Sequence, residues 1–413
     1  MARPPRPTLS PYTLALTDPP CRLLQGGQAF FPALIEALDA ARQSVQLETY
    51  IFDFHGAGAE VAQALVRAAQ GGVVVQVLVD GLGTAGLQPH WRDPFERAGV
   101  QWRVFAPMGR FWAWPRLLMA PAHWRRLHRK LCVVDGQILF CGGINVLDDL
   151  YDPNHGTLLA PRFDFTVRIE GAVVQQASEA MAQLWARVQV GDSVRQRQLG
   201  QAWEAWREAM YRPPHRPSGA RTGVKAHLLL RDNLRFRNRI ERAYRKAIGQ
   251  ARQEVLISNA YFLPGGRLRR ALIQAARRGV RVRLLLQGRY EYFMQYHAAR
   301  SVYLDLLRAG VEVHEYETSF LHAKVAVVDG RWSTVGSSNL DPLSLLLARE
   351  ANVVIEDAAF AATLRAQLVQ AIEDHGRVVR LEDYSRRPWR ERLMNKLAYG
   401  LMRMALFLSG HRY

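Results

Sequence analysis

Residues 128–145 read HRKLCVVDGQILFCGGIN, and residues 322–339 read HAKVAVVDGRWSTVGSSN. The two stretches share one grammar. A His and a Lys stand two apart, followed by an apolar run, an Asp-Gly pair, a second strand-like run and a Gly-rich turn ending in Asn. Side chains alternate along a strand, so His128 and Lys130 face one side, as do His322 and Lys324. The LCVV and VAVV runs suit buried strands, and each Asp-Gly suits the turn that ends one. A single H-x-K-x4-D is a weak pattern, and a lone strand histidine is usually a packing or surface residue. Duplication together with the Asn turn makes these positions a candidate site.

The repetition extends outward from the motifs. ARQSVQL at 41–47 resembles ARQEVLI at 251–257, and ALVRAAQGGVVVQVLVDG at 64–81 resembles ALIQAARRGVRVRLLLQG at 271–288. RAGVQWRVF at 97–105 is matched by RAGVEVHEY at 308–316, and DFTVRIE at 164–170 by EANVVIE at 350–356. Each unit reads strand, amphipathic helix, Gly stop and Val/Leu-rich strand, which predicts an α/β chain of two duplicated lobes. RPPHRPSGARTG at 212–223 is dense in Pro, Gly and Arg and predicts the linker. The expected divisions are therefore 1–212, 213–385 and a basic, amphipathic tail at 386–413.

The chain carries a formal charge of +18, which draws polyanions such as a nucleic acid or an anionic membrane without choosing between them. Only five of its 55 basic residues are lysine, yet both motif cations are lysine. That bias points to a compact ammonium on a phosphate oxygen, which a flat guanidinium replaces poorly. Cys21, Cys132 and Cys141 have no metal-ligand spacing, and two of them lie in strand-like runs, so they read as core thiols in a reducing compartment. No carboxylate or histidine cluster has metal-ligand spacing either, so neither a metal nor a cofactor is expected. The N-terminus lacks the apolar segment of a secretory signal, and no apolar run is long enough to span a bilayer.

The paired motifs resemble those of the phospholipase D superfamily over nearly the whole chain. The resemblance implies two pseudo-two-fold-related lobes, each a mixed sheet flanked by helices, with the active site between them. It implies that one histidine attacks phosphorus and the other protonates the leaving alcohol, the N-terminal His128 being the favoured nucleophile. Lys130, Lys324, Asn145, Asn339 and Ser337 would hold the non-bridging oxygens, and Asp164 and Glu350 would orient the imidazoles. Asp135 and Asp329 enter the catalytic set with their motif, although their place beyond a buried strand favours a structural role. Asp164 stands where the second half has Glu350, and Gly143 lies in a turn that carries serines in the second half. The half-sites are therefore not expected to be interchangeable.

Within the superfamily, LETYIF at 47–52, NAYFLPG at 259–265 and TVGSSNLDPLSLLLAREANVVI at 334–355 resemble bacterial cardiolipin synthases of the shorter type without N-terminal transmembrane helices. This implies phosphatidyl transfer to phosphatidylglycerol. The segment GRYEYFMQYHAARSVY at 288–303 fits less closely and is a candidate lining for the acceptor side. Two further features favour lipid. The first half carries an insertion, APMGRFWAWPRLLMAPAHWRR at 106–126, whose Trp and Arg content suits a headgroup layer. The tail begins basic and becomes apolar, which suits a helix lying in the interface. The expected partners are anionic phospholipids and a membrane surface, met peripherally from the cytoplasmic side. No nucleic acid is expected, because basic and aromatic residues do not alternate as a base-stacking surface requires. A hydrolytic phospholipase D, another phosphatidyltransferase and a nuclease of the superfamily are the alternatives.

Overall fold

The computed structural model describes residues 20–84, 86–107, 125–152, 155–195, 224–231, 236, 238–290, 293–341, 348–385 and 387–408. Most of the Trp-rich insertion (108–124), the linker (212–223) and residues 409–413 lie outside that set.

The first lobe runs β1 (Cys21–Gln25), α1 (Gly26–Ala40), β2 (Ser44–Thr49), α2 (Ala57–Gln70), β3 (Val74–Asp80), α3 (Pro89–Ala98) and β4 (Gln101–Phe105). It continues through β5 (Arg126–Leu127), β6 (Leu131–Val134), β7 (Ile138–Gly142), β8 (Tyr151–Asp152), β9 (Gly156–Thr157), β10 (Phe165–Glu170) and α4 (Ala172–Arg195). The second lobe runs β11 (Lys225–Arg231), α5 (Arg239–Gln250), β12 (Glu254–Asn259), α6 (Gly266–Arg277), β13 (Arg281–Gln287), α7 (Phe293–Arg300), α8 (Tyr303–Arg308) and β14 (Glu312–Tyr316). Then follow β15 (Lys324–Val328), β16 (Trp332–Gly336), β17 (Ala348–Glu356), α9 (Ala358–His375), β18 (Gly376–Val378), α10 (Leu381–Ser385) and α11 (Trp389–Leu408).

The repeated sequence folds twice into the same sheet. The first lobe has strand order β1-β10-β7-β6-β2-β3-β4, and the second has β11-β17-β16-β15-β12-β13-β14 with β18 added at the edge. In each, the three strands on the helix-connected side are parallel and the motif hairpin is antiparallel, giving a mixed sheet. The helices between parallel strands are amphipathic as read. Val61, Leu65 and Ala68 bury one stripe of α2, and Leu268, Leu272 and Ala275 bury the matching stripe of α6. Each stop is a glycine in the left-handed region, Gly72 at φ 86° and Gly279 at φ 88°.

Each sheet buries both faces. One face packs on its own helices, Val45, Val75 and Val77 against Leu34, Val61 and Leu65 in the first lobe. The other face meets the partner sheet in a shared core, where Leu131, Val133, Phe165 and Val167 join Val325, Val335, Val353 and Ile355. Two-sided burial explains why these strands read as near-continuous apolar runs. Cys132 and Cys141 lie in those strands, and burial pushes both thiols up to about 12.

Short pairings cross between the lobes at the end of the shared core. β5 runs parallel to β17, with Leu127 opposite Arg349, and Phe163 makes the equivalent parallel bridge to Leu321. The crossings place His128 beside β17 and His322 beside the start of β10. His128 N–H donates to Arg349 O, and His322 N–H donates to Phe163 O.

Candidate active site

The lobe crossing decides how the polar residues pair. His128 donates from Nδ1 to Glu350, 3.0 and 3.1 Å from its two oxygens. His322 donates from Nδ1 to Asp164 Oδ2 at 2.6 Å. Each imidazole is therefore held by the other lobe's carboxylate. With Nδ1 engaged, Nε2 is the reactive edge of both rings. Lys130 Nζ donates to His128 O at 2.9 Å, and Lys324 Nζ donates to His322 O. The ammonium groups thus sit beside the imidazoles they accompany, as alternation on a strand requires.

The groups are buried and close enough to perturb one another. Burial lowers the His128 pKa against the opposing pull of Glu350. It lowers that of His322 further, with Lys324, Lys130 and His128 adding repulsion. Burial also pushes Lys130 down to about 7, opposed by Glu350, and pushes Asp164 up to about 7, opposed by Lys324. Two lysines, two carboxylates and two imidazoles therefore share one poorly solvated space, where each group's charge state depends on the others.

Other sequence-selected residues have different tasks. Asp135 accepts from the backbone N–H groups of Arg42, Gln43 and Ser44 at 2.9, 2.8 and 2.9 Å. Asp329 does the same for Arg252, Gln253 and Glu254, each at 2.9 Å. Both sit in the left-handed region, at φ 52° and 50°. Their carboxylates tie the motif hairpin to the start of the neighbouring strand, in keeping with the structural role that their place beyond a buried strand favours. Ser337, chosen for phosphate, is fully buried and donates from Oγ to Glu350 Oε2 at 2.5 Å. It holds the carboxylate that holds His128. In the first lobe a Cβ at Gly143 would lie 2.2 Å from Asp164 Oδ1, so that turn has no room for a serine. Asn145 accepts from Ile51 N–H at 3.2 Å, while the buried Oδ1 of Asn339 has no hydrogen-bond partner among the described residues.

The sequence matches the family described as "Cardiolipin synthase, PLD-like domain" over residues 34–185 and 244–372, which takes in all four motif His and Lys. It is 38% identical to cardiolipin synthase B of Escherichia coli (strain K12), across 92% of this chain and 87% of that one. It is 26% identical to cardiolipin synthase 1 of Bacillus cereus, across 90% of this chain and 70% of that one. A solved phosphatidylserine synthase of Haemophilus influenzae superposes with a TM-score of 0.65 at 14% identity, covering 94% of each chain, which shows a shared fold. The chain belongs to the phospholipase D-like cardiolipin synthase family.

Within this family member, sequence reasoning missed Tyr50. Its ring lies 5.1 Å from that of His128 and 5.5 Å from Lys130 Nζ. The corresponding residue of the second half is Ala260, so the duplication does not repeat this aromatic. The aromatic in LETYIF was the available signal, but alternation alone does not say which strand end meets the site.

Proposed function

We propose that this protein transfers a phosphatidyl group from one phospholipid to the glycerol hydroxyl of phosphatidylglycerol, forming cardiolipin through a phosphohistidine. The crossed His–carboxylate pairs, with two lysines in the same buried space, carry the reading. His128 Nε2 attacks phosphorus, forming the P–N bond as the P–O bond to the departing headgroup breaks. The headgroup oxygen takes the proton from His322 Nε2. His322, now neutral, accepts the proton of the incoming hydroxyl, whose oxygen attacks phosphorus and releases His128. Lys130 and Lys324 offset the charge on the non-bridging oxygens throughout, with the side-chain amide of Asn339 beside them. Asp164 and Glu350 fix the tautomers and stabilise whichever imidazole is charged.

Access to lipid is through peripheral attachment. Among the described residues no helix is long and apolar enough to cross a membrane. The final helix, α11, exposes Trp389, Leu393, Leu397 and Leu401 along one ridge, while Asn395 and Ala398 face inward. An apolar ridge on a helix flanked by arginines suits an anionic interface.

The test is the product ratio on phosphatidylglycerol vesicles, read by lipid mass spectrometry with and without exhaustive chelation. Cardiolipin is expected to predominate under both conditions. An excess of phosphatidic acid at high lipid density would make the protein a hydrolase.

A further inference from the structure

Departures from the pseudo-two-fold mark what each half does separately. At the end of β3, Asp80 accepts from the backbone N–H of Leu127 at 2.7 Å and of Leu82 at 2.8 Å, and it lies 3.5 Å from Arg126. At the end of β13, Gln287 takes the same position, its Oε1 accepting from Leu321 N–H at 3.3 Å and Arg289 N–H at 3.4 Å. Arg289 therefore corresponds to Leu82, and Phe320 to Arg126. The first lobe's arginine faces a buried carboxylate. The second lobe's arginine has a neutral amide beside it, stacks 5.2 Å from the Phe320 ring, and has no ion-pair partner among the described residues.

Arg289 lines a cavity of about 460 Å³ between the lobes, with Tyr290, Phe320, His155, Thr157 and Leu159. His155 packs its ring 4.9 Å from Phe320 and bonds through Nδ1 to Asp152 Oδ1 at 2.9 Å, leaving Nε2 as its other polar edge. The exposed Leu159 and Tyr290 stand at the rim. Phe320 precedes His322 by two residues in the extended segment bridged to Phe163. Alternate residues share a face about 7 Å apart, so the cavity adjoins the His322 side of the site. Its size is that of a small-molecule pocket, and its lining, which sets Leu158, Leu159, Tyr290 and Phe320 beside Arg289, His155 and Thr157, fits a polar headgroup entering below its acyl chains.

We infer that this cavity is the acceptor subsite, in which Arg289 binds the phosphodiester of the incoming phosphatidylglycerol. The inference rests on the transfer reading above. The donor's phosphate occupies the lysine cluster, and the glycerol it releases is uncharged. Only the acceptor brings a second phosphate, separated from its attacking hydroxyl by one glycerol. A guanidinium stacked on Phe320, two residues before the base, is placed for that second anion, and its planar fork gives orientation that an ammonium would not. The imidazole beside the acceptor then serves as the base, which assigns that task to His322 and nucleophilic attack to His128.

The test uses the full-length enzyme and its Arg289→Gln variant on phosphatidylglycerol vesicles, with and without a short neutral alcohol as competing acceptor. Cardiolipin formation is expected to fall about ten- to a hundredfold, the usual loss for a hydrogen bond to a charged group. The ratio of phosphatidyl alcohol and phosphatidic acid to cardiolipin rises accordingly, and Arg289→Lys restores part of it. An unchanged ratio with all products equally reduced would mean a structural role and overturn the inference. A matching loss in first-turnover glycerol release would place Arg289 on the donor and also overturn it. Wild-type enzyme yielding no cardiolipin would sink the transfer reading and this subsite together, so the two failures are told apart by the wild-type arm alone.

Discussion

At the scale of single residues, the carboxylates divide into two classes that one sequence motif does not separate. Asp164 and Glu350 each hold an imidazole of the opposite lobe, so Asp164→Asn and Glu350→Gln should lower kcat by about 10²- to 10⁴-fold while the melting temperature changes little, the behaviour of a tautomer-fixing acid. Steady-state rates beside a melting curve check this, and a variant keeping near-wild-type kcat would remove the orienting role. Asp135 and Asp329 should behave in the opposite way. Loss of the carboxylate that accepts from three backbone N–H groups, by Asp135→Ala, costs about 1–3 kcal/mol in stability, with turnover per folded molecule retained. Partial burial works to raise the Asp329 pKa, but the N–H groups of Glu254, Gln253 and Arg252 prevail and hold it below the usual carboxylate value. A depressed folded pKa means its contribution is full above the ordinary carboxylate range and is lost as pH falls through the folded value.

The same residues set a pH dependence. Burial keeps both imidazoles below the ordinary histidine range and brings Lys130 to about 7. A lowered pKa favours the neutral imidazole, so the protonated acid is the scarce species and is lost first as pH rises. The kcat/KM profile, which reports the free enzyme, should therefore be a bell peaking on the acid side of 7, with Lys130 deepening its alkaline limb. A plateau extending to pH 9 would show that neither the acid nor the ammonium titrates as described.

At the scale of elements, the two sheets and their helices were legible because alternating β and α periods recur in both halves with matching glycine stops. The lobe crossing was not. Strand alternation says which face His128 shares with Lys130, but a pairing of β5 with β17, more than 200 residues apart, leaves no local mark. Hence the two carboxylates could be chosen from sequence while their exchange between lobes could not, and the task of Ser337 was equally hidden, because it bonds within its own lobe to Glu350, whose own partner lies across that exchange. The last helix is a different case. Its ridge at Trp389, Leu393, Leu397 and Leu401 follows the four-residue spacing of one helix face, and its inner face is held by the 2.8 Å bond between Asn395 and His297 of α7. Deleting residues 386–413 should weaken vesicle sedimentation more than it weakens turnover of a short-chain soluble substrate. Equal loss on both would make α11 part of the catalytic core's packing.

At the scale of the whole molecule, one buried core and one site are each divided between the lobes. The apolar strand faces that meet in the centre, Phe165 and Val167 with Val335 and Val353, would be bare on either lobe alone. Exposure of so large an apolar face opposes independent folding. Chemistry imposes a second dependence, since either lobe alone has one histidine and the carboxylate meant for the other. Fragments 1–212 and 213–413 produced separately should therefore be inactive and poorly soluble. Co-expressed, they should associate through the same core and regain turnover, because the cut falls in the segment read as linker. Assay of the separate and co-expressed fragments on phosphatidylglycerol vesicles decides the matter. Turnover by either fragment alone would mean that the site is not shared, and the crossed pairs would then be a feature of packing rather than of catalysis.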